Sequence, residues 1–461
     1  MKRDLIERMK AWNALGSRRK PLVLMGARQV GKTWLLKQFA KECYPETTVY
    51  VDLHDDEPLK NAIEGGAFDA RGILELISTA TGKKIVPGVT LLVLDEIQES
   101  PRTLTSLKYF YEQMPELAIV VAGSLLGLAL NRDRRKSGGA AEKVSFPVGK
   151  VSFLSVPPLT FFEFLDAIGE GEKRKRLENC EWSIISAFRT TYEELLKRYL
   201  FVGGMPEAVS TYAETHDLRE VRGVQKEILL AYDKDFSKHA SASLLPKIRL
   251  LWNAIPSQLA KENKKLIYSA LRPGARAREY ESALQWLDDA GMIRQVRRVS
   301  RPGMPLKAYE DFGAFKLYAH DVGLLAAMSD LPERVLLAGD DLFTHFKGAF
   351  AEQYVLEELV ADGVVPYYWA TDEGMAEVEF VVQGETTIYP LEVKAGINLQ
   401  AKSLKSYCAR FQATRALRTS LAEHHVGDIV DDIPLYALRS AIRQYIWPEG
   451  CLNTLCGESH G

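Results

Sequence analysis

The hydrophobic pattern changes period several times along this chain, and each change marks a candidate element. Residues 1–20, beginning MKRDLIERMKAWNALG, predict a basic amphipathic helix leading into a core. From 21 to about 165, short apolar runs at 22–25, 48–53, 90–94, 118–122 and 151–156 alternate with helical stretches. That alternation predicts a parallel sheet covered by helices. PPLTFFEFLDAIG, from Pro157, is expected to close this unit. Residues 170–240 read as helices, and Gly203-Gly204 within YLFVGGMPEAV marks a turn between two of them. Over 245–300 a helix around ESALQWLDDAG precedes MIRQVRRVSRPGMPLKAYE, which predicts a two-stranded hairpin. Helices followed by a hairpin suggest a winged helix. From about 340, FKGAFAEQYVLEELVADG predicts a strong amphipathic helix. EVEFVVQ and TIYPLEVKAG then predict two strands.

Composition narrows this picture. The chain has 461 residues, 46% of them hydrophobic, enough for two to four domains with separate cores. A net charge of -2 argues against a globally basic nucleic-acid binder and leaves room for a local basic patch. No apolar run approaches the roughly 20 residues that span a bilayer, and the N-terminus lacks the apolar block of a signal peptide. No membrane partner is therefore expected. Five scattered cysteines, an odd number, suggest a reducing, cytoplasmic setting rather than a disulfide framework. Cys451 and Cys456 of CLNTLC, even with His460, fall short of a zinc ligand set.

Candidate chemistry begins at GARQVGKT, Gly26 to Thr33, between the strand LVLM and the helix WLLKQFAKEC. A tight strand-to-helix turn exposes successive amides and makes an anion cradle. The pattern G-x-x-x-x-G-K-[ST] is a P-loop. Gly26, Ala27, Arg28, Gln29, Val30, Gly31, Lys32, Thr33 and Trp34 are the candidate nucleotide-binding residues. Lys32 would meet the outer phosphates and Thr33 a magnesium ion. TLLVLDEIQES supplies the second half of such a site, a buried strand ending in Asp95 and Glu96. Asp95 would hold magnesium with Thr33, and Glu96 would polarise the attacking water. ATP and Mg2+ are the expected cofactors. In AIVVAGS, Ser124 is a candidate phosphate sensor, although a serine after a strand is usually a turn residue or helix cap. In NRDRRK, Arg132, Arg134 and Arg135 are arginine-finger candidates, in cis or from a neighbouring copy in a homo-oligomer. The plainer alternative is a solvated basic loop.

Two further clusters lie downstream. Arg276, Arg278, Arg294, Arg297, Arg298 and Arg301 gather around the winged-helix pattern and could grip the phosphates of double-stranded DNA, or remain solvated on a domain packed against the core. Glu352 interrupts the apolar stripe of Ala349, Leu356 and Leu359, which is costly unless it is paired or functional. Glu377 and Glu379 share one strand face; Glu392 and Lys394 share another. Glu352, Glu379, Glu392 and Lys394 directed at one point would be the inventory of a one- or two-metal phosphodiesterase site. The alternative is a salt-bridged cluster in which Lys394 neutralises the glutamates.

With these segments in hand, the chain resembles the prokaryotic AAA-type P-loop ATPases whose C-terminal domain of unknown function resembles the PD-(D/E)XK endonuclease fold. The resemblance rests on GARQVGKT, LLVLDEIQ, VVAGS, PLTFFEF, FVGGMPEAV, AYDKDFSK, KLYAHDVGLL, GAFAEQYVLEEL, EVEFVV and YPLEVKAG, in family order over nearly the whole chain. It implies an α/β fold: a P-loop NTPase parallel sheet with helices on both faces, then a helical and winged-helix region, then a restriction-endonuclease-like α/β domain. The expected division is an ATPase core over 1–165, a helical lid or linker over 166–240, a winged-helix-like domain over 241–335, a nuclease-like domain over 336–450 and a tail over 451–461. Two departures stand out. EVEF replaces the family's EVDF, so Glu379 would displace a magnesium ligand by roughly a bond length. Lys150 follows Gly149 where a Gly-Arg pair is common, which loses bidentate phosphate geometry.

Three functions follow as expectations. The first is an ATPase whose nucleotide state controls the winged-helix and nuclease-like half. The second is an ATP-gated, magnesium-dependent nuclease. The third is a low-turnover, nucleotide-loaded scaffold or regulator bound to DNA.

Overall fold

The computed structural model describes residues 2–66, 69–124, 126–128, 149–261, 264–338, 344–371, 376–397 and 399–446. It divides into two units. One comprises Arg3–Val156 with Asp289–Gly291; the other comprises Pro157–Asp288 with the described residues from Met292 onward.

The first unit is the expected parallel sheet. Its strands are β1 (Leu22–Met25), β2 (Thr48–Asp52), β3 (Leu91–Asp95), β4 (Ala118–Ala122) and β5 (Ser152–Ser155), in the order β2-β3-β4-β1-β5. Every pairing is parallel. β3 and β4 are buried at every position, which is why they read as unbroken apolar runs, whereas the edge strand β2 alternates. Because all five strands point the same way, the residues that follow β1, β3 and β4 emerge at one edge of the sheet. Connecting helices start on polar caps: Asp56 accepts the Leu59 amide and Ser100 the Thr103 amide. Val49, Val51, Leu92, Leu94, Ile119 and Val121 pack with Ile73, Ile77, Leu107 and Phe110 into one core.

The second unit holds a mixed seven-stranded sheet: β6 (Ile293–Val299), β7 (Glu310–Ala319), β8 (Tyr367–Ala370), β9 (Glu377–Gln383), β10 (Ile388–Val393), β11 (Ala416–Ser420) and β12 (Val430–Pro434). Their order is β12-β11-β10-β9-β8-β6-β7. The strong amphipathic pattern near 340 becomes the helix Thr344–Ala361.

Packing crosses two of the expected boundaries. The hairpin β6–β7, read as the wing of a separate winged-helix domain, is continuous with the C-terminal sheet. β6 pairs antiparallel with β7 on one side and parallel with β8 on the other, so no break in the sheet falls at 335/336. PPLTFFEF, expected to close the first unit, packs against elements of the second. The Phe161 amide donates to Glu358 Oε1 at 2.8 Å, the Tyr199 hydroxyl donates to Leu159 O at 2.6 Å, and Phe161 stands edge-on to both Tyr199 and Tyr354. The stretch 166–240 is likewise built into this unit: the Gly204 amide donates to Asp321 Oδ2 at 2.6 Å. A Cβ on Gly204 would lie 2.1 Å from Leu159 O, so this turn admits no side chain.

Candidate functional site

The turn after β1 carries the first cluster. Gly31 is left-handed, with φ at 91°, and starts the helix Lys32–Cys43. Gly26 also has positive φ, and a Cβ there would lie 2.4 Å from Val156 O, so the turn closes only with glycine. Lys32 is buried, and its ammonium donates to two carbonyls, Gly26 O at 2.9 Å and Ala27 O at 2.7 Å. Burial, only partly offset by Glu96 and Asp95, pushes its pKa down to about 8. Arg3 Nη1 donates to Val30 O at 3.1 Å, tying the N-terminal segment to the turn.

The end of β3 meets that turn. Thr33 Oγ1 donates to Asp95 Oδ2 at 2.8 Å, and the Tyr50 hydroxyl donates to the same oxygen at 2.6 Å. Burial and the Asp95 charge raise the Tyr50 phenol far above its ordinary value, keeping it a donor. Glu96 is a left-handed residue, with φ at 50°, and its amide donates back to Asp95 Oδ1 at 3.0 Å. Its Oε2 accepts the Gln98 side-chain amide, the Ser124 hydroxyl at 3.0 Å and the Ser124 amide at 3.4 Å. Burial alone would raise the Glu96 pKa, but these donors and Lys32 hold it below the ordinary value.

Lys32, Thr33, Asp95, Glu96 and Ser124 are thus brought together at the carboxyl ends of β1, β3 and β4. Ser124 touches Glu96 directly. Arg132, Arg134 and Arg135, like Cys451, Cys456 and His460, lie outside the described residues. Sequence reasoning missed Tyr50 and Gln98. Tyr50 occupies an alternating position of an edge strand, and nothing in VYVD sets it apart from a surface tyrosine.

Two of the six arginines of the cluster are ion-paired. Arg297 Nη1 lies 3.0 Å from Glu310 Oε1, and Arg298 Nη2 2.7 Å from Asp311 Oδ2. Desolvation lowers the pKa of Arg294. Arg276 and Arg278 are exposed, and Arg301 lies over the Tyr309 ring.

The four C-terminal residues do approach one another, but in company that sequence did not reveal. Glu352 Oε1 accepts Lys264 Nζ, and its Oε2 accepts the Tyr318 hydroxyl at 3.0 Å and faces Lys316 Nζ at 3.8 Å. Lys316, from β7, is fully buried and lies 2.5 Å from Glu377 Oε1. Lys394 Nζ pairs with Glu392 Oε1 at 2.6 Å, and Glu379 Oε2 accepts the Val393 amide at 3.2 Å. Burial, with Glu392 and Glu352 close by, pushes the Glu379 carboxyl up to about 8. Burial would raise Glu352 too, but Lys264 and Lys316 hold it below the ordinary carboxylate value. Among the described residues, no group of three or more His, Cys, Asp or Glu side chains is placed to hold a metal ion.

Among the described residues no helix is long and apolar enough to cross a membrane. Residues 18–165 match the family model described as an AAA domain. Residues 193–335 match a domain of unknown function (DUF8612), and 347–438 match another (DUF4143). No curated protein matches the chain. Solved structures similar to this chain include the Walker-type ATPase PABY2304 of Pyrococcus abyssi, at 15% identity and a TM-score of 0.44, covering 71% of this chain and 96% of that one. The Aeropyrum pernix ORC1 protein in complex with DNA matches at 13% identity and a TM-score of 0.28, covering 72% of this chain and 96% of that one. Cdc6p from Pyrobaculum aerophilum matches at 12% identity and a TM-score of 0.27, covering 74% and 96%. The parallel sheet and its glycine turn thus lie in the stretch that matches an AAA domain, and the mixed-sheet half is matched by two domains of unknown function.

Proposed function

We propose that the N-terminal unit binds ATP with magnesium and hydrolyses it, and that its nucleotide state controls the C-terminal half. The observation that carries this reading is the 2.8 Å contact between Thr33 Oγ1 and Asp95 Oδ2 beside the P-loop. A hydroxyl and a carboxylate are hard oxygen donors, the set that magnesium prefers, so the residues fit the ion. When bound, magnesium neutralises charge on the phosphate oxygens. The remaining work falls to the chain. Amides of residues 26–33 cradle the phosphates, and Lys32 exchanges its two carbonyl partners for phosphate oxygens. Tyr50 orients Asp95. Glu96, released from Gln98 and Ser124, orients the attacking water. Double-stranded DNA remains a proposed partner through the exposed Arg276 and Arg278 with Arg301.

A second reading, a low-turnover nucleotide-loaded switch, is favoured by one observation: the Glu96 oxygen that would orient water already accepts three donors. The deciding measurement is phosphate release from ATP and magnesium, with and without double-stranded DNA. Turnover is expected in wild type, lost in Lys32→Ala, and reduced about 10²- to 10⁴-fold in Glu96→Gln with ATP binding retained. Tight ATP binding without turnover in wild type would sink hydrolysis and leave the switch. A faster Gln98→Ala variant would identify Gln98 as a restraint.

A further inference from the structure

The C-terminal carboxylates resemble a metal-dependent phosphodiesterase site in sequence, but their surroundings do not fit a metal. We infer that this cluster meets its demand for positive charge from within the chain, with Lys316 and Lys264 standing where an endonuclease-type site would hold a divalent cation.

Four carboxylates meet here, those of Glu352, Glu377, Glu379 and Glu392, and three ammonium groups face them, those of Lys264, Lys316 and Lys394. Of the three lysines, only Lys394 adjoins an expected strand, directly after β10 and two residues from Glu392. Lys316 is delivered by β7 and Lys264 by the segment before the hairpin. Lys264 makes an ion pair with Glu352 Oε1, and Tyr318 and Lys316 face its other oxygen. Lys316 Nζ also lies 2.5 Å from Glu377 Oε1 and sits over the Tyr368 ring at 5.0 Å, so its charge is answered on several sides. A fully buried ammonium is kept charged only by such partners, and removing either side leaves an uncompensated charge. A divalent cation entering this cluster would face three positive charges at short range, in surroundings of low dielectric, and would compete with Lys316 and Lys264 for Glu352.

The test is Mn2+ binding by electron paramagnetic resonance on the nucleotide-free full-length chain carrying Asp95→Asn, which removes the P-loop's own carboxylate ligand. No bound Mn2+ is expected at millimolar metal. Adding Lys316→Ala should create a bound-Mn2+ signal that Glu379→Gln or Glu392→Gln removes. Bound Mn2+ in the protein that retains Lys316, lost on Glu392→Gln, would overturn the inference. So would a folded Lys316→Ala protein that still binds none, because the ammonium would then not be holding the cation's place. If Lys316→Ala does not fold, the Asp95→Asn protein decides alone: bound Mn2+ lost on Glu392→Gln overturns the inference, and no bound Mn2+ supports it. Phosphate release by the P-loop reads the first unit alone, so failure of one conclusion leaves the other standing.

Discussion

Lys32 and Lys316 are both buried lysines beside carboxylates, yet their pKa values are displaced in opposite directions. Lys32 donates to two backbone carbonyls and has no carboxylate at hydrogen-bond distance among its described contacts; burial lowers its pKa to about 8. Lys316 lies between Glu352 and Glu377, and their charges outweigh burial and hold its pKa above the ordinary value. A site built to receive an anion keeps a cation unbalanced until the anion arrives. A site whose charges already balance gains little from a further ion. The contrast separates a receptive centre from a closed one, although both read as acidic clusters with a lysine.

The contrast can be broken by substitution. Replacing Lys316 with Met should cost the most, roughly 3–5 kcal/mol, because it strands buried carboxylates. Replacing Lys32 with Met should act the other way in nucleotide-free protein, gaining on the order of 3 kcal/mol from a pKa displaced from 10.5 to about 8. Chemical denaturation reads both, and changes of the same sign would erase the distinction. Tyr50→Phe removes a donor from Asp95 and should weaken magnesium-dependent ATP binding by roughly 1.5 kcal/mol. A titration of ATP affinity against magnesium checks this, and an unchanged magnesium requirement would reduce Tyr50 to a packing residue.

The Lys32 pKa also sets a pH dependence. Its folded pKa is depressed, so its burial cost is fully present below about 8 and is relieved as pH rises toward 10.5. Bound phosphate restores the charge, so ATP binding should take up a proton above pH 8. Affinity should then fall by up to about tenfold per pH unit. Calorimetry in buffers of different ionisation enthalpy measures the uptake. The smallest effect is expected at Arg298→Ala, under about 1 kcal/mol of stability, because its pair with Asp311 is partly exposed. A much larger loss in DNA affinity for the same variant would assign that arginine to phosphate contact.

The first unit was legible because its signals are local. β1 and β4 are apolar throughout, β3 is apolar up to its last residue, Asp95, with Glu96 next, and the glycine turn follows β1 directly. The second unit was legible element by element but not in assembly. The helix Thr344–Ala361 and strands β9 and β10 lie where the pattern puts them. Which edge β6 would bond to is a non-local fact, and its burial pattern repeats every third residue rather than every second. The aromatics of PLTFFEF announce burial without naming the partner, which proved to be the helices carrying Tyr199 and Tyr354. Lys316 and Lys264 escaped for the same reason: a lysine in a strand or loop reads as solvated until its neighbours from distant segments are known.

The continuity of β6 with β8 has a practical consequence for anyone dividing this chain. A fragment beginning at 336 would keep β8 through β12 but lose both strands beyond β8, along with Lys264 and Lys316. Its newly bared edge would offer unpaired amides and carbonyls to another copy, the starting point for edge-to-edge aggregation. It would also carry Glu352 without its counter-ions. A soluble C-terminal half should begin before Pro157, where the chain itself begins that half.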